Sequence, residues 1–400
     1  MEDSYMPSNK FRYVSGVLSF VAVFAIVHAS VSAQCVAPPS GMVHWWTADD
    51  NTFDIVGGEH GLLQNGATYD DGKVIRAFSL DGVNDYVEVP HDPTAAFNFQ
   101  PQIPGGSRSF TVDAWINLET TPPDFAPILS KWNDIGVNQR NYFLAVENHF
   151  VFPNPVGPLV VRFDVSANGF FLGGNSSRYR STEQIPLNTW THLAGVFDGT
   201  AHTLTVYING VPATPDPASL VQSANVSAPF LNSEPVLIGA GDLGSNLRDF
   251  FDGRIDEVEL FDRALTQAEV FSIYNAGTAG KIATISIDVK PGNGDDVDPI
   301  NLKSKGKTPV AVLSTETFDA TTMDIGSIRF AGAAVNVKNN GMPQFSFEDV
   351  NADGLLDLVL HFNTQDLNLT DSSTEAILTG TTDNGRCVSA ADSIKIVPSN

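Results

Sequence analysis

One short loop concentrates the sharpest chemistry in this sequence. Asp349 to Asp357 reads DVNADGLLD, with oxygen-bearing side chains spaced around a glycine. A calcium ion takes about six to eight oxygen ligands, and a tight loop supplies them from alternate residues. Asp349, Asn351 and Asp353 would offer side chains at positions 1, 3 and 5, Leu355 its carbonyl at 7, and Asp357 a carboxylate at 9. Gly354 permits the sharp turn. The bidentate glutamate of a helical EF-hand is missing, since position 12 is Leu360 and the flanks are strand-like. Ca2+ is the cofactor to expect.

A second chemistry is ligand recognition, which uses aromatic faces beside polar groups on loops. Trp132 precedes Asn133 and Asp134, and Tyr179 stands between Arg178 and Arg180. The pairs Phe170-Phe171 and Phe250-Phe251 are further candidates. Trp132 and Tyr179 are the expected ligand contacts. Trp46, Trp115 and Trp190 fall inside strand-like stretches and are expected in the core. No catalytic residues are expected. The chain has no G-x-S-x-G elbow, no H-E-x-x-H helix and no glycine-rich phosphate cradle after a strand. His60, His192 and His361 read as core or edge residues. With 46 acidic against 22 basic residues the net charge is −24, which repels phosphate backbones and suits a divalent cation. Nucleic acid is therefore not an expected partner.

The elements that must position these groups are strands. Between Gly41 and Leu260, short runs rich in β-branched and aromatic residues alternate with Gly, Pro, Asn and Asp. Examples are FTVDAWINL from Phe110, PLVVRFDV from Pro158, THLAGVF from Thr191 and TLTVYI from Thr203. This pattern predicts an antiparallel sandwich. Asn209-Gly210 suits a type I′ hairpin turn. One helix is predicted over residues 267–276, with Thr266 and Glu269 as a capping box, Leu265 and Val270 as a staple and Gly277 as the stop. After a linker at 278–281, further strands from Ile285 to Val397 predict a smaller second β-domain.

The N-terminus reads as an export signal over residues 1–33. Lys10 and Arg12 precede an apolar run from Val14 to Val31, and small residues stand before Gln34. An uncleaved anchor is the rival reading, and no other stretch is apolar enough to span a bilayer. Cys35 and Cys387 either pair, tying the start of the mature chain to its end, or remain two thiols.

Several segments together resemble a known family. They are WTADDNTFDIVGGEHG from Trp46, AFSLDGVNDYVEVP from Ala77, FTVDAWI from Phe110, NTWTHLAGVFDG from Asn188 with VYING from Val206, and GRIDEVELFDRAL from Gly253. In this order they resemble the concanavalin A-like, laminin-G-type jelly rolls of secreted bacterial proteins. The tail resembles a β-domain of exported proteins, through IDVKPG, INLKSKGKTPVAVL and EDVNADGLLDLVLHF. Its acidic loop is similar to the calcium loops of propeller repeats or dockerins, with Ala352 where those loops usually carry Gly. The expected architecture is all-β: a jelly-roll sandwich over residues 34–278, then a smaller β-sandwich over 282–400. The resemblance implies a structural calcium site in the jelly roll, carried by Asp50, Asp54 and Asp256, and use as a carbohydrate- or surface-binding module. The fold also hosts laminarinase-type hydrolases, which place two carboxyl groups on one strand. Here the matching segment alternates Asp252, Arg254, Asp256 and Val258 on one face, with Glu257 and Glu259 on the other, so Arg254 and Val258 stand where that family has glutamates. The expectation is a secreted or cell-surface, calcium-stabilised binding protein for carbohydrate or extracellular matrix. The alternative is an adhesion component making protein–protein contacts, and an enzyme resembling glycoside hydrolases comes last.

Overall fold

The computed structural model describes Met1 and residues 34–397, except 95, 134–137, 150–156, 171–173, 242–246, 248, 293, 295 and 296. The expected export segment therefore lies outside the described residues, as do Asp134 and Phe171. Residues 33–400 form one compact unit, and its architecture is all-β apart from short helices.

Two antiparallel sheets build the N-terminal sandwich. The eight-stranded sheet runs Val211–Pro212, Thr203–Ile208, Thr191–Asp198, Phe110–Leu118, Asp252–Phe261, Arg76–Asp81 and Thr68–Asp71, with Met42–Trp46 also paired to Asp252–Phe261. The seven-stranded sheet runs Ser176–Gln184, Leu159–Gly169, Gln139–Asn148, Phe125–Asn133, Val236–Ile238, Tyr86–Val89 and Leu62–Gln64. Alternate side chains of each strand meet between the sheets, as the two-residue strand period requires. Phe78, Phe110, Tyr142, Phe163 and Phe197 are among those buried there.

Local signals in the sequence placed the ends of elements well. The helix spans Gln267–Ala276, capped by Thr266 and Glu269 in a capping box, and the Gly277 amide donates to the Tyr274 carbonyl. Its buried face, Val270 and Ile273, packs with Leu265, Ala194, Val196, Tyr207 and Phe261 on the outside of the eight-stranded sheet. Asn209 and Gly210 both take positive φ, 51° and 75°, as the tight hairpin between Thr203–Ile208 and Val211–Pro212 demands.

Two further sheets form the C-terminal part. One joins Ser286–Val289, Lys307–Leu313, Asp357–Asn363 and Phe345–Glu348. The other centres on Cys387–Ile396, flanked by Glu375–Thr381 and, in parallel, by Ala283–Thr284 and Asp298–Ile300. Their core includes Val310, Phe330, Leu358, Phe362 and Leu378, and it also takes in Trp45 from the first strand of the N-terminal sandwich. Cys35 and Cys387 form a disulfide with a Cα–Cα distance of 6.4 Å, resolving the open choice between pairing and free thiols. The bridge closes a loop of 352 residues. Replacing both cysteines by serine is expected to lower stability by about 2–5 kcal/mol, because the unfolded chain regains the entropy that closure removed. Denaturation midpoints of the two proteins under non-reducing conditions check this.

Candidate functional site

The Asp349–Asp357 loop is the turn of a hairpin between Phe345–Glu348 and Asp357–Asn363. Ala352 and Gly354 take φ of 62° and 91°, which reverses the chain tightly. The turn wraps its own amides around its acidic groups. Asp349 accepts from the amides of Asp353 at 3.2 Å and Gly354 at 3.0 Å, and Asn351 accepts from the amide of Asp353 at 3.1 Å. Leu355 donates its amide to Asp353 at 2.8 Å. Asp349, Asn351 and Asp353 stay exposed, and the donor set is all oxygen, as calcium needs. Asp357 differs. It is buried, and its two oxygens accept from the amides of Ser314 at 2.9 Å and Val350 at 3.0 Å, anchoring the base of the hairpin.

The jelly-roll trio does not gather. Asp54 is 1% exposed and accepts from His44 and from the amides of Trp45, Val56, Gly57 and Glu59. Burial alone would raise its pKa, but the His44 and amide hydrogen bonds hold it below the usual carboxylate range. Asp50 is exposed and pairs with Arg76 at 3.1 Å. Asp256 is fully buried and accepts from the Val74 amide at 2.8 Å. Among the described residues, the three carboxylates that do converge are Asp288, Asp298 and Asp392, with ligand oxygens within 4.8 Å of one another. Parallel pairing of Asp298–Ile300 with Cys387–Ile396 brings them together from distant parts of the chain, so no local spacing announces them.

Asp256, Glu257 and Glu259 are all buried to 1% exposure or less. A bulge between Asp256 and Glu259, with Glu257 at φ 52°, breaks the alternation expected for this strand. Glu257 accepts from Lys281 at 2.8 Å and from Arg386 at 2.7 Å. Lys281 also pairs with Glu259, and Arg386 with Asp49. Both cations lie over the Trp45 ring, at 4.9 Å and 5.5 Å from its centre. Glu257 joins the two sandwiches through Arg386, whereas Asp256 stays bonded within the first. Burial, then the charge of neighbouring Asp113, pushes Glu259 well above its usual range. Burial likewise raises Asp113 to about 7, and leaves His192, 3.1 Å from it, neutral with a pKa of about 3.

The outward face of the seven-stranded sheet carries the other polar group of note. Because Tyr142, Leu144, Phe163, Val165 and Tyr179 point into the core, their neighbours Phe143, Ala145, Arg162, Asp164, Arg178 and Arg180 point out. Strand register sets Phe143, Asp164 and Arg178 in one row, and Ala145, Arg162 and Arg180 in the next. Arg180 grips Glu147 with two bonds of 2.8 Å, and Arg162 bonds Asp164 at 2.7 Å. Trp132, Phe143 and Phe125 form an aromatic cluster on the same face, with the Arg162 guanidinium 5.1 Å from the centre of Phe125. Trp132, expected as an exposed ligand contact, is 4% exposed and packed against Phe143, so it backs the face and does not open onto it. Tyr179 is a correction. It is also 4% exposed, but in the main core, with its hydroxyl donating to the Ala213 carbonyl at 2.5 Å. Strand alternation hands the outward role to Arg178 and Arg180. Of the other aromatic candidates, Phe251 is core, whereas Phe170 is exposed. Trp190, expected in the core, is partly exposed beside Arg254.

Residues 81–271 match the family model Laminin_G_3, described as the concanavalin A-like lectin/glucanases superfamily. This part of the chain is a concanavalin A-like jelly roll. No curated protein sequence matches the chain. Solved structures similar to it include domain 4 of AbnA, an extracellular arabinanase from Geobacillus stearothermophilus, in complex with arabinotriose. It is 19% identical over 57% of this chain and 96% of that one, with a TM-score of 0.39. The binding domain of Paraclostridial Mosquitocidal Protein 1 is 12% identical over 87% and 86%, with a TM-score of 0.44. The CBM40 of a Ruminococcus gnavus IT-sialidase, bound to α2,3 sialyllactose, is 14% identical over 50% and 96%, with a TM-score of 0.36. Among the described residues no helix is long and apolar enough to cross a membrane.

Two outcomes follow for the jelly roll's acidic seam. Lys281→Met is expected to cost about 3–5 kcal/mol, since it strands buried Glu259 without a counter-charge and leaves Glu257 to Arg386 alone; calorimetric unfolding measures it. Asp113, whose folded pKa is raised by burial above its unfolded value of 3.8, contributes to the pH dependence alongside the likewise raised Asp49, Asp256 and Glu259. Between about pH 4 and 7 the folded state then holds a proton the unfolded chain has lost, so stability falls as pH rises through that window. Asp113→Asn is expected to flatten part of the decline in Tm between pH 4 and 7.

Proposed function

We propose that this is an extracellular, calcium-stabilised carbohydrate-binding protein without catalytic activity. The observation that carries the reading is the outward face of the seven-stranded sheet in a lectin-type jelly roll. Its aromatic cluster lies beside paired guanidinium and carboxylate groups on adjacent strands. Trp132, Phe143, Glu147, Asp164 and Arg180 are themselves buried, so the groups this face offers a sugar are the partly exposed Phe125 ring, backed by that cluster, and the Arg162 and Arg178 guanidinium groups beside it. The absence of catalysis is supported by the Asp252–Phe261 strand, whose buried acids Asp256, Glu257 and Glu259 are committed to amides and to Lys281 and Arg386. Calcium would be held by Asp349, Asn351 and Asp353 with the Leu355 carbonyl, and it would stiffen the exposed hairpin tip; Asp357, expected as a further ligand, is instead committed to the Ser314 and Val350 amides.

A glycan array with the full chain is the direct test. Trp132→Ala is expected to weaken binding about tenfold, and Tyr179→Phe to leave it unchanged. Equal binding by Trp132→Ala and the wild type would remove the outer face from consideration. Titration calorimetry with calcium chloride should show uptake that Asp349→Ala and Asp353→Ala abolish. No heat at millimolar calcium would sink the calcium reading.

A further inference from the structure

Where the two sandwiches meet, the surface opens into a cavity of about 310 Å3. Asp49 and Ile55 line it from the jelly roll, and Phe318, Asp319, Asp383 and Asn384 from the C-terminal part. A second cavity of about 280 Å3 adjoins it and shares Ile55 and Phe318. Each is close to the lower end, about 300 Å3, of the range for small-molecule sites, which favour junctions of this kind. Neither sandwich supplies the walls alone.

The chemistry of the lining is acceptor-rich. Arg386 lies in the wall, 7% exposed, and its guanidinium is committed to Asp49 and Glu257. It therefore offers little free positive charge. One oxygen of Asp319 takes the amide and hydroxyl of Thr321, at 2.9 and 2.7 Å, which leaves the other for a ligand. The Asn384 side-chain oxygen accepts from the Thr382 hydroxyl at 2.5 Å, which leaves its amide nitrogen as a donor. Asp383 is exposed on the rim, and its carboxylate has no hydrogen-bond partner among the described residues. Phe318 and Ile55, both partly exposed, supply the apolar wall.

We infer that this seam cavity is a separate sugar subsite for a neutral or amino sugar unit. The ring face lies against Phe318 and Ile55, and hydroxyl or ammonium donors reach Asp319, Asp383 and Asn384. Three carboxylates in the lining, against one already neutralised guanidinium, disfavour an acidic sugar. The inference stands on this cavity and does not need the outer-sheet site proposed above.

The test uses the full chain with methyl glucoside, glucosamine and glucuronate as probes, read by saturation-transfer NMR and titration calorimetry. Methyl glucoside and glucosamine are expected to bind, with glucuronate weaker by about tenfold or more. Asp383→Asn and Asn384→Leu, both at the exposed rim, are expected to weaken glucosamine about tenfold, and Phe318→Ala to weaken both binding sugars. Circular dichroism and Tm verify that each variant is folded, and the two rim variants stand as the test if Phe318→Ala is not. Trp132→Ala should leave binding of these probes unchanged. The inference is overturned if no probe binds, if glucuronate binds as well as glucosamine, or if the rim variants match the wild type. Sugar binding lost with Trp132→Ala but kept in the rim variants would remove the seam subsite alone. Loss in the rim variants, with glycan-array binding indifferent to Trp132, would remove the outer-sheet reading alone.

Discussion

Two buried cations, Lys281 and Arg386, hold the molecule's halves in register. Glu257, Glu259 and Asp49 are almost wholly removed from water at the seam. Uncompensated, each would cost several kcal/mol in desolvation. Lys281 arrives on the connection after the jelly-roll helix, and Arg386 on the final strand beside Cys387. Three long-range constraints therefore converge within a few residues: the disulfide, the ion cluster and Trp45, which leaves its own sandwich for the neighbouring core. Docking one part against the other in any other register would strand charge, which makes the seam specific as well as stabilising.

The same constraint decides what the Asp252–Phe261 strand does. Here the bulge at Glu257 turns neighbouring acids toward Lys281 and Arg386, and the Val74 amide takes Asp256. The acidic turn at Asp349 contrasts with this strand: Asp349, Asn351 and Asp353 stay exposed together.

Much of the fold was legible because its signals are local. The capping box at Thr266 and Glu269 is closed by hydrogen bonds within three residues, and Asn209-Gly210 by the positive φ that its turn demands. The Phe110–Leu118 and Thr203–Ile208 strands fall where β-branched and aromatic runs placed them. The sites were less legible. Asp54 and Asp256 have the right residue type for a calcium ligand, yet Asp54 is filled by nearby amides and Asp256 faces Val74 and the seam. Tyr179 and its arginine neighbours show the limit of composition: the aromatic looked like the contact, but strand phase sent it inward.

Beyond what the family resemblance implied about the jelly roll, the sequence by itself determined the all-β class, the helix with both its caps, and an oxygen-rich turn at Asp349. Each of these rests on spacing within a few residues or on the period of two along a strand. Only the tertiary structure decided that Cys35 pairs with Cys387, that Trp45 belongs to the second core, that Asp288, Asp298 and Asp392 meet, and that Lys281 and Arg386 neutralise Glu257. Those partners are separated by tens to hundreds of residues. Their contact depends on strand register and on how two sandwiches dock, which no local pattern encodes.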